Sequence, residues 1–260
     1  MPKVSRRHPA MLALLLLVGL LLTGTAYAAI APKQASATAV SAADAKKGEQ
    51  LFVANCATCH GNNGLGIKDV GPSLVGVGAA SVDFQMGTGR MPMAKPDVQA
   101  PRIKQEKFSD EDIADIGAFV AALGPGPAVP DAEWTDYTKG DPGKGGEIFR
   151  VNCAMCHGSS GAGGALTRGK YAPKVTGVEP QHIYEAMETG PQSMPKFNDA
   201  NLSPEAKRDV IAYIKGQESA GNPGGNPLGA LGPVPEGLFI WTVGLGVLVG
   251  FAIWLGQKSA

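Results

Sequence analysis

The segment Cys56-Ala57-Thr58-Cys59-His60 returns 97 residues later as Cys153-Ala154-Met155-Cys156-His157, and the two hold all four cysteines of the 260-residue chain. Two thiols three positions apart can each add to one vinyl group of a porphyrin, and a histidine directly after them can ligate its iron, the pattern of covalent c-type haem attachment. A chain built this way must fold around two rigid apolar bodies. A redox dithiol would need a βαβ setting, which the hydrophobic pattern lacks. Zinc would need four ligands, and one histidine stands beside each cysteine pair. Two plain disulfides would leave both the following histidine and the duplication unexplained. The spacing predicts two covalently bound haem c groups, attached through Cys56, Cys59, Cys153 and Cys156, with His60 and His157 as axial iron ligands.

The duplication extends beyond the cysteines. At the same offset Lys47 matches Lys144, Gly48 matches Gly145, Phe52 matches Phe149 and Asn55 matches Asn152, and nine of the fifteen positions 47–61 are identical in the second copy. An internal repeat of this kind predicts two folded units of one design. Each opens with a short helix running into the cysteines. Each closes with a helix behind an N-cap serine: Ser109 before Asp110, Glu111 and Asp112, and Ser203 before Pro204 and Glu205. Ile113, Ile116, Phe119, Val120 and Leu123 in the first closing helix, and Val210, Ile211, Tyr213 and Ile214 in the second, recur at spacings of three and four and give each helix one apolar face. Aromatic residues make up 6% of the chain, so a unit of this size has a thin core of its own that a buried porphyrin would complete.

A six-coordinate iron needs a second axial ligand, and a thioether favours the ferrous state and raises the potential. The candidates are Met91 in Gly89-Arg90-Met91-Pro92 and Met194 in Gln192-Ser193-Met194-Pro195. Each lies between the cysteines and the closing helix, and the following proline biases the methionine toward an extended backbone. Met93 is the rival for the first iron, while Met86, Met93 and Met187 otherwise read as core filler. His182, in an apparent helix, reads as exposed and permits a bis-histidine alternative at the second iron. Axial histidines require a partner for the other ring nitrogen, and turns at Gly71-Pro72-Ser73-Leu74 and Ala172-Pro173-Lys174-Val175 are placed to offer the Pro72 and Pro173 carbonyls.

The ends differ in kind from the middle. Residues 10–30 and 237–256 are uncharged runs of 21 and 20 positions, each long enough to span the ~30 Å of a bilayer core as a helix. The second has Trp241 and Trp254 near its ends, as interface anchors would be. In the first, the strongest apolar run covers residues 11–22, and Ala26-Tyr27-Ala28 fits an A-x-A processing site, so residues 1–30 read as an N-terminal membrane helix or a signal peptide. Lys3, Arg6 and Arg7 before the first run, and Lys258 after the second, place both ends in the cytoplasm and the haem units on the outer face of the cell membrane. The expected order is then a tether at 31–43, a first unit at 44–123, a Gly/Pro-rich linker at 124–140, a second unit at 141–217, a linker at 218–236 and a C-terminal transmembrane helix at 237–256. With 23 basic and 23 acidic residues, no charge excess points to nucleic acid.

Each unit, with its opening helix, Cys-x-x-Cys-His, Pro turn, Met-Pro loop and closing helix, resembles a class I cytochrome c domain. The resemblance implies an all-α fold: two tandem class I cytochrome c domains plus one or two transmembrane helices. It also implies that the end helices cross, packing Gly48, Phe52 and Phe119 together in the first unit and Gly145, Phe149 and Tyr213 in the second. Nearly the whole chain is similar to the dihaem cytochrome c subunit of the actinobacterial-type cytochrome bc1 complex. That family implies an electron-transfer subunit of a quinol:cytochrome c reductase, partnered by cytochrome b and a Rieske iron–sulfur protein. Electrons would pass from the Rieske protein through both haems to an aa3-type cytochrome c oxidase. The chain alone would be an electron carrier, with no catalytic residue. The alternatives are a dihaem subunit of a cbb3-type oxidase, against which the C-terminal helix argues, a dihaem peroxidase, which needs an open iron position, and a haem-based gas sensor.

Overall fold

The computed structural model of the chain describes residues 9–30, 42–103, 107–221, 224, 228–230 and 233–258. Most of the expected tether and much of the second linker lie outside the described residues, as do Lys3, Arg6 and Arg7. Helix α1, Pro9–Ile30, covers the N-terminal apolar run. Its strongly apolar part, Ala13–Thr25, is shorter than a bilayer span. Among the described residues one helix is long and apolar enough to cross a membrane, Pro235–Gln257, with its apolar side chains exposed.

Between these ends the described residues are mainly helical, and two short pieces of extended backbone depart from the all-α expectation: an isolated bridge pairs Ile67 with Gly71, and a small ribbon forms in the second half. Gly164–Ala165 and Tyr171–Ala172 pair as a two-stranded antiparallel ribbon. The helices are α2 (Ala42–Asn55), α3 (Ala57–His60), α4 (Gly78–Gly87), α5 (Asp110–Ala122), α6 (Ala132–Thr135), α7 (Pro142–Asn152), α8 (Ala154–His157), α9 (Pro180–Thr189) and α10 (Pro204–Ala220).

Two hydrophobic cores follow from this order. In the first, Phe52 of α2 meets Val82 and Met86 of α4 and Ile113, Ile116 and Val120 of α5. In the second, Phe149 of α7 meets Ile183, Tyr184 and Met187 of α9 and Val210, Ile211 and Ile214 of α10. The apolar faces read from the spacing of the closing helices are the faces that are buried. Both expected caps form. The Ser109 hydroxyl accepts from the Asp112 amide while the Asp112 carboxylate accepts from the Ser109 amide, and Ser203 accepts from the Ala206 amide.

Glycine makes the central crossing of each core possible. A Cβ on Gly48 would stand 1.9 Å from the Asp115 carbonyl oxygen, and one on Gly145 would stand 1.8 Å from that of Asp209. One turn further on, Phe52 stacks at a tilt on Phe119 with ring centroids 5.0 Å apart, and Phe149 on Tyr213 at 5.3 Å. The first crossing is tied at its rim by Lys47, whose ammonium lies 2.7 Å from the Asp115 carboxylate.

The 124–140 stretch lies against both cores. The Pro127 carbonyl accepts from the Ala80 amide at the start of α4, and Trp134 of α6 packs on the second core beneath the Arg208 guanidinium. Helix α10 also carries Lys207, whose fully buried ammonium pairs with Glu188 and, at 2.7 Å, with Asp199.

Because backbone meets backbone at the crossings, no rotamer change relieves an added methyl there. Gly48→Ala and Gly145→Ala are expected to lower stability by about 2–3 kcal/mol or more, measured by thermal unfolding. Gly216→Ala, in α10 where a Cβ meets nothing within 4 Å, is expected to stabilise by about 0.5–1 kcal/mol.

Candidate functional site

Each Cys-x-x-Cys-His segment continues an opening helix into one extra turn. The Cys56 amide donates to the Phe52 carbonyl at 2.7 Å and the His60 amide to that of Cys56 at 3.0 Å; the second copy repeats this with Cys153 to Phe149 at 2.8 Å and His157 to Cys153 at 2.9 Å. Helical spacing places residues three and four apart on one face, so both thiols and the imidazole of each segment point the same way. Gly61 at φ +73° and Gly158 at φ +75° then end the turn. None of the four cysteines forms a disulfide, and all four are half-buried.

Both chains of residues then loop back beneath the histidine. The Gly66 amide donates to the His60 carbonyl at 2.8 Å and the Gly163 amide to that of His157 at 2.7 Å. The return brings the Pro72 carbonyl 2.8 Å from His60 Nδ1 and the Pro173 carbonyl 2.9 Å from His157 Nδ1. These are the two turns singled out in the sequence. A carbonyl only accepts, so Nδ1 carries the proton in each ring and Nε2 keeps its lone pair for a metal. Burial lowers the pKa of His157 against the opposing pull of the Pro173 carbonyl, a direction that favours the neutral ring a ligand needs. Burial also pushes the thiols up, that of Cys153 to about 11 with help from Cys156, and that of Cys56 by desolvation.

Sequence reasoning missed two residues of this loop, Gly66 and Gly163, which are again 97 positions apart. Their φ values are +85° and +88°, and an added Cβ would stand 2.6 Å from the Ser73 amide nitrogen or 2.4 Å from the Ala172 carbonyl oxygen. The signal available was their common offset within the repeat.

Each imidazole shares a cavity with a methionine. His60 and Met91 line one cavity of about 400 Å³ together with Phe52, Cys56, Pro72 and Met86. His157 and Met194 line a second of about 80 Å³ with Phe149, Cys153, Pro173 and Met187. Met93 does not line that cavity, but it borders the adjoining hollow, which His60, Met91, Cys56 and Cys59 also line. Met86 and Met187 are core residues, as read from the sequence. The Met91 loop is held where the Arg90 and Met91 amides both donate to the Gln85 carbonyl at the end of α4. The Met194 loop is held by the Phe197 amide donating to the Met187 carbonyl and by the pairing of Asp199 with buried Lys207.

The donor chemistry fits a porphyrin iron at both places: an imidazole with a free Nε2, a thioether and one cysteine thiol line each cavity with largely apolar walls, and the second cysteine stands three residues along the same turn. The first cavity lies in the ~300–1,000 Å³ range of ligand sites, whereas the second must widen to admit a group of that size. The two cavities share a wall, because Pro191 lines both, and Gly190 and Gln192 beside it also line the first.

His182 departs from its sequence reading. It is not exposed: its side chain retains 19% of its accessible surface, lies 3.5 Å from the Asp83 carboxylate and packs edge-on to Phe84. Gly87 makes room for it, since a Cβ there would stand 2.6 Å from His182 Nε2. The expectation failed because α4 of the first core covers the face of α9 that local pattern leaves open.

Comparison with known proteins gives the same reading. The family described as cytochrome C oxidase, cbb3-type, subunit III matches residues 43–120 and again 140–214. Over nearly the full length the chain is similar to proteins named cytochrome bc1 complex cytochrome c subunit. It is 47% identical over 252 residues to that of Mycobacterium tuberculosis (strain ATCC 25618 / H37Rv), covering 94% of this chain and 90% of that protein. It is 45% identical over 253 residues to that of Mycobacterium leprae, covering 95% and 87%, and 43% identical over 269 residues to that of Corynebacterium diphtheriae, covering 97% and 95%. A cbb3-type cytochrome c oxidase subunit FixP of Sinorhizobium medicae is 36% identical over 81 residues, 27% of this chain. The cbb3 likeness is thus one of domain, and the bc1 likeness is one of whole chain. Membership of a cytochrome c family entails haem c binding.

The carbonyl behind the imidazole should be measurable. Gly163→Ala is expected to displace the Pro173 carbonyl and make the His157 imidazole a poorer donor, shifting one haem upward in a redox titration. A titration superposable on wild type would show that the carbonyl does not tune this ligand.

Proposed function

This chain belongs to the family of cytochrome bc1 complex cytochrome c subunits, and on that premise we propose that it is a membrane-anchored wire of two haems in tandem class I cytochrome c domains. The observation that carries the reading is that His60 and Met91 line one cavity and His157 and Met194 another, the two meeting at Pro191. Haem c, when bound, supplies a one-electron couple.

The chain's residues do the rest. Cys56, Cys59, Cys153 and Cys156 tether the two groups. His60 and His157, each fixed through Nδ1 by a proline carbonyl, present Nε2 to the irons. Met91 and Met194 would each supply a thioether to the iron, which favours the ferrous state and raises the potential. A second protein ligand of this kind would disfavour the peroxidase and gas-sensor readings. Apolar walls exclude water, which limits the reorganisation that accompanies a change of charge. The shared wall at Pro191 favours direct transfer between the two groups without a diffusing carrier.

The proposed route runs from a Rieske iron–sulfur protein to the first haem, then the second, then an aa3-type oxidase, with cytochrome b in the same complex. The domains would lie at 44–123 and 141–217 on the outer face of the cell membrane. The helix Pro235–Gln257 would anchor them and place Lys258 in the cytoplasm. A cbb3-type oxidase subunit remains the weaker alternative, since the FixP likeness covers 27% of this chain.

Met91→Ala and Met194→Ala are each expected to lower the potential of one haem in a redox titration while both haems stay covalently attached, and Met93→Ala is expected to leave both potentials in place. A Met91→Ala titration identical to wild type would remove Met91 from the ligand set. Purification of the native complex through a tag on this chain is expected to bring down cytochrome b and Rieske subunits. Recovery of cbb3 oxidase subunits instead would overturn the assignment.

A further inference from the structure

Helices α4 and α9, which belong to different cores, meet across a cluster that the electron-transfer reading does not use. Asp83 of α4 faces His182 and Glu185 of α9, three residues apart on one helix face, and one ligand atom from each lies within 4.8 Å of the others. Glu185 is fully buried, and its Oε2 has no hydrogen-bond partner among the described residues. The Gln181 amide supports the cluster from behind, donating to Asp83 Oδ2 at 2.8 Å and to Glu185 Oε1 at 3.4 Å.

We propose that Asp83, His182 and Glu185 bind one divalent cation of the zinc class, clasping the two haem-bearing halves together. One imidazole nitrogen with two carboxylate oxygens is a zinc-type donor set, whereas calcium and magnesium select oxygen alone. The 3.5 Å between His182 Nε2 and Asp83 Oδ2 matches the edge of about 3.4 Å in a tetrahedron with bonds of about 2.1 Å. A modest inward movement of Glu185 completes three ligands and leaves the fourth position for water. Asp83 and His182 keep 23% and 19% of their side-chain surface, which gives the ion a path in from solvent.

Without an ion the site is electrostatically awkward. Burial and the neighbouring Asp83 push the Glu185 carboxyl up to about 10. Asp83 is held low despite burial by hydrogen bonds from His182, Glu185 and Gln181. A cation would satisfy the orphaned Glu185 oxygen and offset the two neighbouring carboxylates. Since His182 also lines the second cavity, the ion would steady a wall of that site and the spacing of the two cores.

The test uses the full-length, haem-loaded chain, treated with a chelator and then titrated with zinc chloride or calcium chloride. Zinc per chain is counted by elemental analysis after gel filtration, and thermal unfolding is followed on the same samples. Wild type is expected to hold one zinc more than Asp83→Asn or His182→Gln, with affinity at least about 10-fold above theirs. Its unfolding temperature should rise with zinc but not with calcium, and the variants' should not. Haem absorbance should be unaltered in all samples, which separates this result from any failure of the haem reading. Equal zinc content and affinity in wild type and Asp83→Asn would overturn the proposal, as would a wild-type chain that takes up no zinc. Asp83 lies at the exposed edge of the cluster, so its variant keeps the test valid if Glu185→Gln does not fold.

Discussion

The approach of two helices to backbone contact is the constraint on which both sites rest. At Gly48 against Asp115 and Gly145 against Asp209, Cα–H meets carbonyl oxygen with no side chain between. That closeness brings Phe52 onto Phe119 and Phe149 onto Tyr213, and it sets the direction in which each opening helix delivers its cysteines. A Cβ at either glycine would move the whole Cys-x-x-Cys-His turn away from the core that forms the back of its cavity. The small apolar content of the chain makes this economy necessary, because each core is little more than one layer of side chains wide.

From that crossing the donors follow in order. The extra turn aligns two thiols and an imidazole, a positive-φ glycine reverses the chain, and a proline carbonyl returns to lock the ring by its Nδ1. The methionine loops are then hung from the far side, one on the Gln85 carbonyl and the other on the Met187 carbonyl and the Lys207 pair. The donor atoms of each site thus come from segments tens of residues apart, and their facing arrangement is a product of packing alone. The Pro191 loop does two things at once, carrying the chain toward Met194 while walling the first cavity. This is how the two cavities come to share a wall.

Much of this was legible in the residues. The helix caps, the buried faces of α5 and α10, the proline carbonyls behind the histidines and the glycine–aromatic crossings all appeared where spacing or resemblance placed them, because each depends on local geometry repeated at a fixed offset. The failures share a cause. His182 reads as exposed from its own helix and becomes half-buried because another core lies over it. The small ribbon at Gly164–Ala165 and Tyr171–Ala172 has too few residues to leave a periodic signal. The packing of 124–140 against both cores is hidden by a composition that reads simply as a break.

The sequence by itself pointed to the chemistry: covalent attachment calls for two thiols three positions apart and a histidine directly after them, so the cofactor class is legible in five consecutive positions, twice. The tertiary structure alone decided that Met91 and Met194 each share a cavity with an imidazole, how the two cavities come to meet at Pro191, and that Asp83, His182 and Glu185 converge. Those outcomes depend on contacts between residues up to a hundred positions apart, and no local propensity encodes the register in which α4 meets α9.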